Sequence, residues 1–274
     1  MAKIYQLPKL YHPDFALPGV KPKGPIEIDW DNSITRGMVA CVPLQGVPID
    51  LVTGKMWTVA GATWNGDHSL EFTNATSDQL TCPDSFDFYG AGGFGVALVY
   101  THIDTASGAF LTMFSLDQSA HNTTAFAQFR DNTDTLELFI AGTSKSATGA
   151  MAGDGLTQTH VFAGGQGVGT KNYIYYQDGT ELINTTGSVA TTNTAMTPAF
   201  GSVDNLGSRA LNGQLRFGCI WIRELSPGEA VSLSLNPYQI LRPQIPLTYF
   251  VPAAAAGGNE PLFYHHQRML SRCS

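Results

Sequence analysis

The residues whose types and spacing come closest to a reaction are Glu27, Asp29 and Asp31, acids at alternate positions in Glu27-Ile28-Asp29-Trp30-Asp31. On an extended strand that spacing sends all three side chains to one face. Retaining glycosidases need two carboxyls about 5 Å apart, one as nucleophile and one as proton donor. Two features oppose that role. The third acid is Asp, whose shorter side chain misplaces a proton donor, and the trio precedes the first core strand instead of lying mid-sheet in a groove. The expectation is a solvated acidic linker without catalysis.

Other candidates are weaker. His265 and His266 are adjacent, so on an extended chain they point to opposite sides. With no acid or cysteine nearby, they suit a surface or interface better than a metal. His102, Asp104 and Asp117 fall near strand ends, where acids can bind calcium, but no Asp-x-Asp-x-Asp spacing is present. The expectation is therefore no metal and no cofactor, with calcium in those loops as the alternative. Cys41, Cys82, Cys219 and Cys273 have no zinc-site spacing, and Cys219 reads as a buried thiol. Gly164-Gly165-Gln166-Gly167 leads into further β-structure and so is no phosphate loop. There is no Gly-x-Ser-x-Gly nucleophile elbow. Sugar recognition needs exposed aromatic faces beside polar groups, and Trp57, Trp64 and Tyr176 are the candidates.

The elements that must position these residues are β-strands. In Leu211 to Glu229, Leu215, Phe217, Cys219 and Trp221 alternate with Arg216, Gly218, Ile220 and Ile222, a strand with apolar bulk on both faces. Ser226-Pro227-Gly228-Glu229 then supplies a helix cap, a first-turn proline and an acid three residues beyond the cap. Upstream, short β-like runs recur between turn residues: 38–44, 57–64, 69–72, 79–82, 94–100, 110–116, 125–130, 135–140, 160–163, 172–177 and 180–184. Asp178-Gly179 marks a tight hairpin between the last two. Such spacing indicates a sandwich or barrel, and nothing before Ser226 has helical periodicity.

The flanks differ. Pro8, Pro13, Pro18, Pro22 and Pro25 punctuate residues 1–32, where neither a helix nor a central strand can form. Pro237, Pro243, Pro246 and Pro252 do the same near the other end. These arms nevertheless carry Tyr5, Leu7, Tyr11, Phe15, Tyr249, Phe250, Phe263 and Tyr264, apolar bulk suited to burial against neighbours. Three parts follow: an extended arm over 1–32, a β-sandwich over 33–237 and a second extended arm over 238–274.

The 274 residues carry a net charge of −7 without a basic cluster, which argues against nucleic acid. Charged residues make up 14%, below the roughly 25% usual in globular domains, as suits a surface partly covered by neighbours. No run of 18 apolar residues offers a membrane span, and the opening Met-Ala-Lys-Ile does not read as a leader, so synthesis in the cytoplasm is expected.

Several segments in order resemble one family. Ser69-Leu70-Glu71-Phe72, Asp78 to Pro83, the strand from Phe94 to Tyr100, the hairpin from Tyr173 to Thr186, and Gly207 followed by Leu211 to Pro237 are similar to the motifs of laminin-G-like, concanavalin A-like jelly rolls. The flanking Asp31 to Val39 and Asn236 to Pro243 resemble those of such domains in tailed-bacteriophage structural proteins. The resemblance implies an all-β jelly-roll sandwich in a virion, as a capsid decoration or tail-associated subunit and not an enzyme. Its implied partners are other virion proteins and further copies of itself. The alternative it leaves is a lectin-like module that adsorbs the particle to a host-surface glycan.

Overall fold

The structure, a computed structural model, describes residues 20–73, 78–103, 110–116, 125–130, 135–140, 143–148, 155–165, 170–188, 195–201 and 211–244. They form two facing antiparallel sheets and a short ribbon. The eight-stranded sheet runs β14 (Thr180–Ser188), β13 (Thr170–Gln177), β12 (Thr157–Gly165), β7 (Gly93–His102), β16 (Asn212–Trp221), β5 (Leu70–Thr73) and β4 (Thr63–Trp64). Its eighth strand, β2 (Met38–Val42), also pairs with β16. The seven-stranded sheet runs β11 (Thr143–Thr148), β10 (Thr135–Ile140), β9 (Ala125–Arg130), β8 (Phe110–Ser115), β15 (Ala199–Phe200), β6 (Gln79–Thr81) and β3 (Thr58–Ala60). The ribbon joins β1 (Ile26–Ile28) to β17 (Leu241–Pro243).

Strands β7 and β16 are the spine of the larger sheet, and burial on both faces explains their near-continuous apolar sequences. From β7, Phe94, Val96, Leu98 and Tyr100 fill the core between the sheets. Ala97 and Val99 face a second apolar layer on the outer side. Along β16 the simple alternation breaks: a register shift between Leu215 and Phe217 leaves Leu215 and Ile220 in the inner core. Phe217, Cys219 and Trp221 then face the outer layer. A bulge of one residue is enough to send the following side chains to the other face.

The outer layer is covered by α1 (Pro227–Leu235), whose Ala230 and Leu233 are buried against it. Its start follows the sequence expectation. Ser226 accepts from the Glu229 amide, Glu229 reaches back to the Ser226 amide, and Pro227 opens the first turn. The Asp178-Gly179 hairpin is also present, with φ of 47° and 82°. Positive φ at both central residues is what a type I′ turn between right-twisted strands requires.

The run 57–64 is not one strand. Gly61, at φ 70°, turns the chain, so β3 joins the seven-stranded sheet and β4 the eight-stranded one. Trp57 lies ahead of β3 and is 2% exposed, stacked on Phe200 with ring centroids 5.3 Å apart. Gly218 makes room for that Phe200 ring: a Cβ there would lie 2.6 Å from it.

Candidate interaction site at the flanks of the sandwich

The acidic trio finds its role in the ribbon. β1 pairs with β17 so that Glu27 lies opposite Arg242, and the guanidinium meets all three acids. Its Nε donates to Glu27 Oε1 at 2.9 Å, and Nη1 donates to Asp29 Oδ1 and Asp31 Oδ2 at 3.3 Å each. Glycoside hydrolysis needs two carboxyls facing each other across a sugar, one of them protonated. Here three carboxylates converge on a cation carried by a two-stranded ribbon. The expected solvated linker is therefore a clamp joining two segments more than 200 residues apart.

Around this ribbon the segments that enter and leave the sandwich are tied to it. Asp29 N donates to Ile240 O, and Asn32 Nδ2 donates to Gln239 O. Ahead of the ribbon, Lys21 Nζ donates to the carbonyls of Leu44 and His68, both at 2.9 Å. Burial lowers the Lys21 amine to about 8, with the nearby Asp67 carboxylate opposing the shift. Ile34 O accepts from Trp221 Nε1 and Arg223 Nη2, and Arg36 O accepts from Arg223 Nε. Arg223 also makes a two-point contact with Glu229, at 2.7 and 3.0 Å. The Arg-x-Leu-Ser-Pro-x-Glu pattern is thus a structural lock between the incoming segment and α1.

The sequence-derived site residues separate clearly. Tyr5, Leu7, Tyr11, Phe15, Tyr249, Phe250, Phe263 and Tyr264 lie outside the described residues, as do Asp104, Asp117, His265 and His266. Trp57 is buried under Phe200 and offers no face to a sugar, which removes it from the candidate sugar platform. Tyr176 is 6% exposed, packs in the outer apolar layer and donates its hydroxyl to Glu181, so its ring is equally unsuited. Trp64, on edge strand β4, is 37% exposed and keeps an accessible ring. Trp30, beside the acidic clamp, is more open still at 55%. In the sequence Trp30 reads only as part of the acidic motif, with no signal that its ring is open. No group of three or more His, Cys, Asp or Glu able to hold a metal occurs among the described residues.

A buried polar stack crosses the inner face of the larger sheet. Tyr175 Oη donates its one proton to Gln177 Oε1 at 2.7 Å, so His160 Nδ1, 2.9 Å from Tyr175 Oη, must donate to that hydroxyl oxygen. His160 is thereby a neutral Nδ1–H tautomer, and its Nε2 has no partner among the described residues. Burial, with His102 adding to it, drops its imidazolium pKa to about 3. The side chain is fully enclosed, so this stack is part of the interior.

No family model and no curated protein matches the chain. Solved structures do. Trypanosoma rangeli sialidase in complex with the inhibitor DANA aligns over 81% of this chain and 34% of its own length, at 13% identity and TM-score 0.55. The same enzyme with 2,3-difluorosialic acid, as the covalent intermediate, aligns over 75% of this chain and 34% of its own, at 14% identity and TM-score 0.56. A structure of botulinum neurotoxin type C, whose cell entry depends on two ganglioside molecules, aligns over 73% of this chain and 51% of its own, at 12% identity and TM-score 0.52. The chain therefore spans about a third of the sialidases and half of the toxin chain. Identities this low speak to fold alone. With the two-sheet architecture, they define the chain as an all-β, concanavalin A-like jelly-roll sandwich.

Proposed function

We propose that this chain is a non-enzymatic assembly subunit, whose jelly roll is held to neighbouring virion proteins by the apolar segments flanking it. The observation that carries the reading is the acid–arginine ribbon. Glu27, Asp29 and Asp31, which precede the sandwich in sequence, and Arg242, which follows it, anchor the roots of both flanking segments. Anchored roots limit the freedom of an arm at its base, which lowers the entropy lost when it docks. The aromatic content of 1–19 and 245–274 supplies the apolar area. The resemblance of Asp31 to Val39 and Asn236 to Pro243 to tailed-bacteriophage structural proteins supports the virion as the setting, in a capsid-decorating or tail-associated place. The test compares the full chain with residues 20–244 for binding to particles lacking the protein. Binding by the full chain only is the expected result; equal binding by both refutes the reading.

A second reading has one observation in its favour. The accessible rings of Trp64 and Trp30 suit stacking on a sugar, and similar folds occur in a sialidase in complex with the inhibitor DANA and in a toxin whose cell entry depends on two ganglioside molecules. Under this reading residues 20–244 alone bind a host-surface glycan, and Trp64→Ala removes the signal on a glycan array. An array without signal for the unsubstituted domain disposes of it.

A further inference from the structure

Cys41 and Cys219 sit directly opposite each other where β2 pairs with β16. Their backbone geometry fixes what kind of pair they form. The Cys41 amide donates to Asp50 Oδ1 at 2.8 Å, and its carbonyl accepts from Leu51 N at 2.8 Å. Both groups therefore point away from β16, and Cys41–Cys219 is a non-hydrogen-bonded pair of the antiparallel ladder. Opposed residues of that class have Cα atoms about 4.5 Å apart and their side chains close together. That separation falls within the range of roughly 4.4–6.8 Å that a disulfide spans. Both side chains face the same outer apolar layer and both are fully buried.

We propose that Cys41 and Cys219 are a redox-modification site, closing an intrachain disulfide by exchange with a small disulfide such as oxidised glutathione. In the first step one protein thiol loses its proton and its sulfur attacks a glutathione sulfur. The glutathione S–S bond breaks and one glutathione leaves as a thiol. In the second step the other protein thiol, also deprotonated, attacks the mixed disulfide at the protein sulfur and releases the second glutathione. Two cysteine thiols are oxidised to one disulfide while one glutathione disulfide is reduced to two thiols.

Placement gives the bond a consequence. β2 is the first strand after the segment that holds Arg36, and on the side away from β16 its Cys41 bonds to Asp50 and Leu51, so among the described residues it is an edge strand covered by a loop. A covalent link to β16 would tie this edge to the central strand and close a loop of about 180 residues, a large constraint on the unfolded chain. The same burial keeps the pair reduced until the covering loop opens. Burial pushes the Cys219 thiol well above its ordinary value, and the neighbouring Cys41 thiol pushes in the same direction. Cys82 is a single buried thiol on the inner side, lifted to about 12 chiefly by burial, and has no partner in this chemistry.

The test equilibrates the folded full-length chain with mixtures of oxidised and reduced glutathione at a urea concentration below the unfolding transition, so that loop opening does not limit exchange. Remaining thiols are alkylated and peptides mapped without reduction. The expected product is a peptide linking Cys41 to Cys219, two hydrogens lighter than the separate peptides. It should bring a rise in Tm of about 5–10 °C that a reductant reverses. Cys41→Ser, nearly equal in volume, should fold, lose the cross-link and lose the redox-dependent Tm. The proposal is overturned if both thiols remain alkylatable at every ratio, if only glutathione mixed disulfides form, or if Cys82 or Cys273 is the residue cross-linked.

Discussion

Glu229 offers the most direct test of how the incoming segment is locked to the sandwich. Its carboxylate takes both Arg223 Nη atoms, at 2.7 and 3.0 Å, and completes the capping box by accepting from Ser226 N at 2.9 Å. The Arg223 hydrogen bond is the main cause of a pKa lowered from 4.5 to about 2; burial opposes it and Ser226 assists it. A depressed carboxyl contributes stability that is fully present above its unfolded pKa and is lost as pH falls through the folded one. The window is therefore pH 4.5 down to about 2. At about 1.4 kcal/mol per unit, that displacement sets a ceiling of roughly 3 kcal/mol. The Arg223 and Glu229 side chains are 26% and 24% exposed, so water screens part of the interaction. The expected loss at pH 7 on Glu229→Gln is thus about 1–2 kcal/mol, or a Tm drop of roughly 3–6 °C for a chain this size. Urea titrations of both proteins at pH 7 and pH 3 read it. At pH 3 the gap should shrink to less than half its neutral value, because most of the window has been crossed. Equal gaps at the two pH values, or no gap at pH 7, would refute an electrostatic lock and leave Glu229 an ordinary surface acid.

Three further predictions rest on packing and on the buried stack. Trp57→Ala should cost about 3–5 kcal/mol in urea unfolding, whereas Trp64→Ala should stay within about 0.5 kcal/mol; similar costs would contradict the assignment of one ring to the core and the other to the surface. Gly218→Ala drives a methyl to 2.6 Å from Phe200 and should cost about 1–3 kcal/mol, while Gly228→Ala, with open space around its Cβ, should be neutral or slightly stabilising. His160, whose folded pKa of about 3 lies below its unfolded 6.5, is protonated more readily in the unfolded chain. Stability should therefore fall by up to about 1.4 kcal/mol per pH unit below 6.5, a slope that His160→Gln should flatten in denaturation series between pH 7 and 4.5.

What could be read from the sequence was carried by chemistry local to the chain. Ser226 and Glu229 stand at cap spacing, Asp178-Gly179 is a turn whose φ requirement names its own residues, and β7 announces double burial by its apolar run. What could not be read depended on partners distant in sequence or on a single backbone torsion. Residues 57–64 have the alternation of one strand, and only the positive φ at Gly61 hands the two halves to different sheets. The alternation of β16 was visible, but the bulge at Arg216 that separates Leu215 from Phe217 leaves no mark in residue type. Spacing alone places neither Trp57 nor Trp64, since no single strand holds both.

The acidic trio shows most sharply what position in the sequence can and cannot decide. Its place ahead of the core sets it in the β1–β17 ribbon, and the partner that gives it a purpose, Arg242, lies over 200 residues away between Leu241 and Pro243. That partner shows only in the fold, where β17 sets Arg242 opposite Glu27. The two flanking patterns, Asp31 to Val39 and Asn236 to Pro243, are thus physically coupled. Asn32 binds Gln239, Asp29 binds both Ile240 and Arg242, and Ile34 and Arg36 bind Arg223. Residues that form one such unit lose stability non-additively when substituted together, so Asp29→Ala and Arg242→Ala combined should cost less than the sum of the two alone. A fully additive double-mutant cycle in urea unfolding would mean that the exposed ion pairs contribute nothing, and that the ribbon is held by its backbone bonds and by Ile26 and Ile28 in the outer layer.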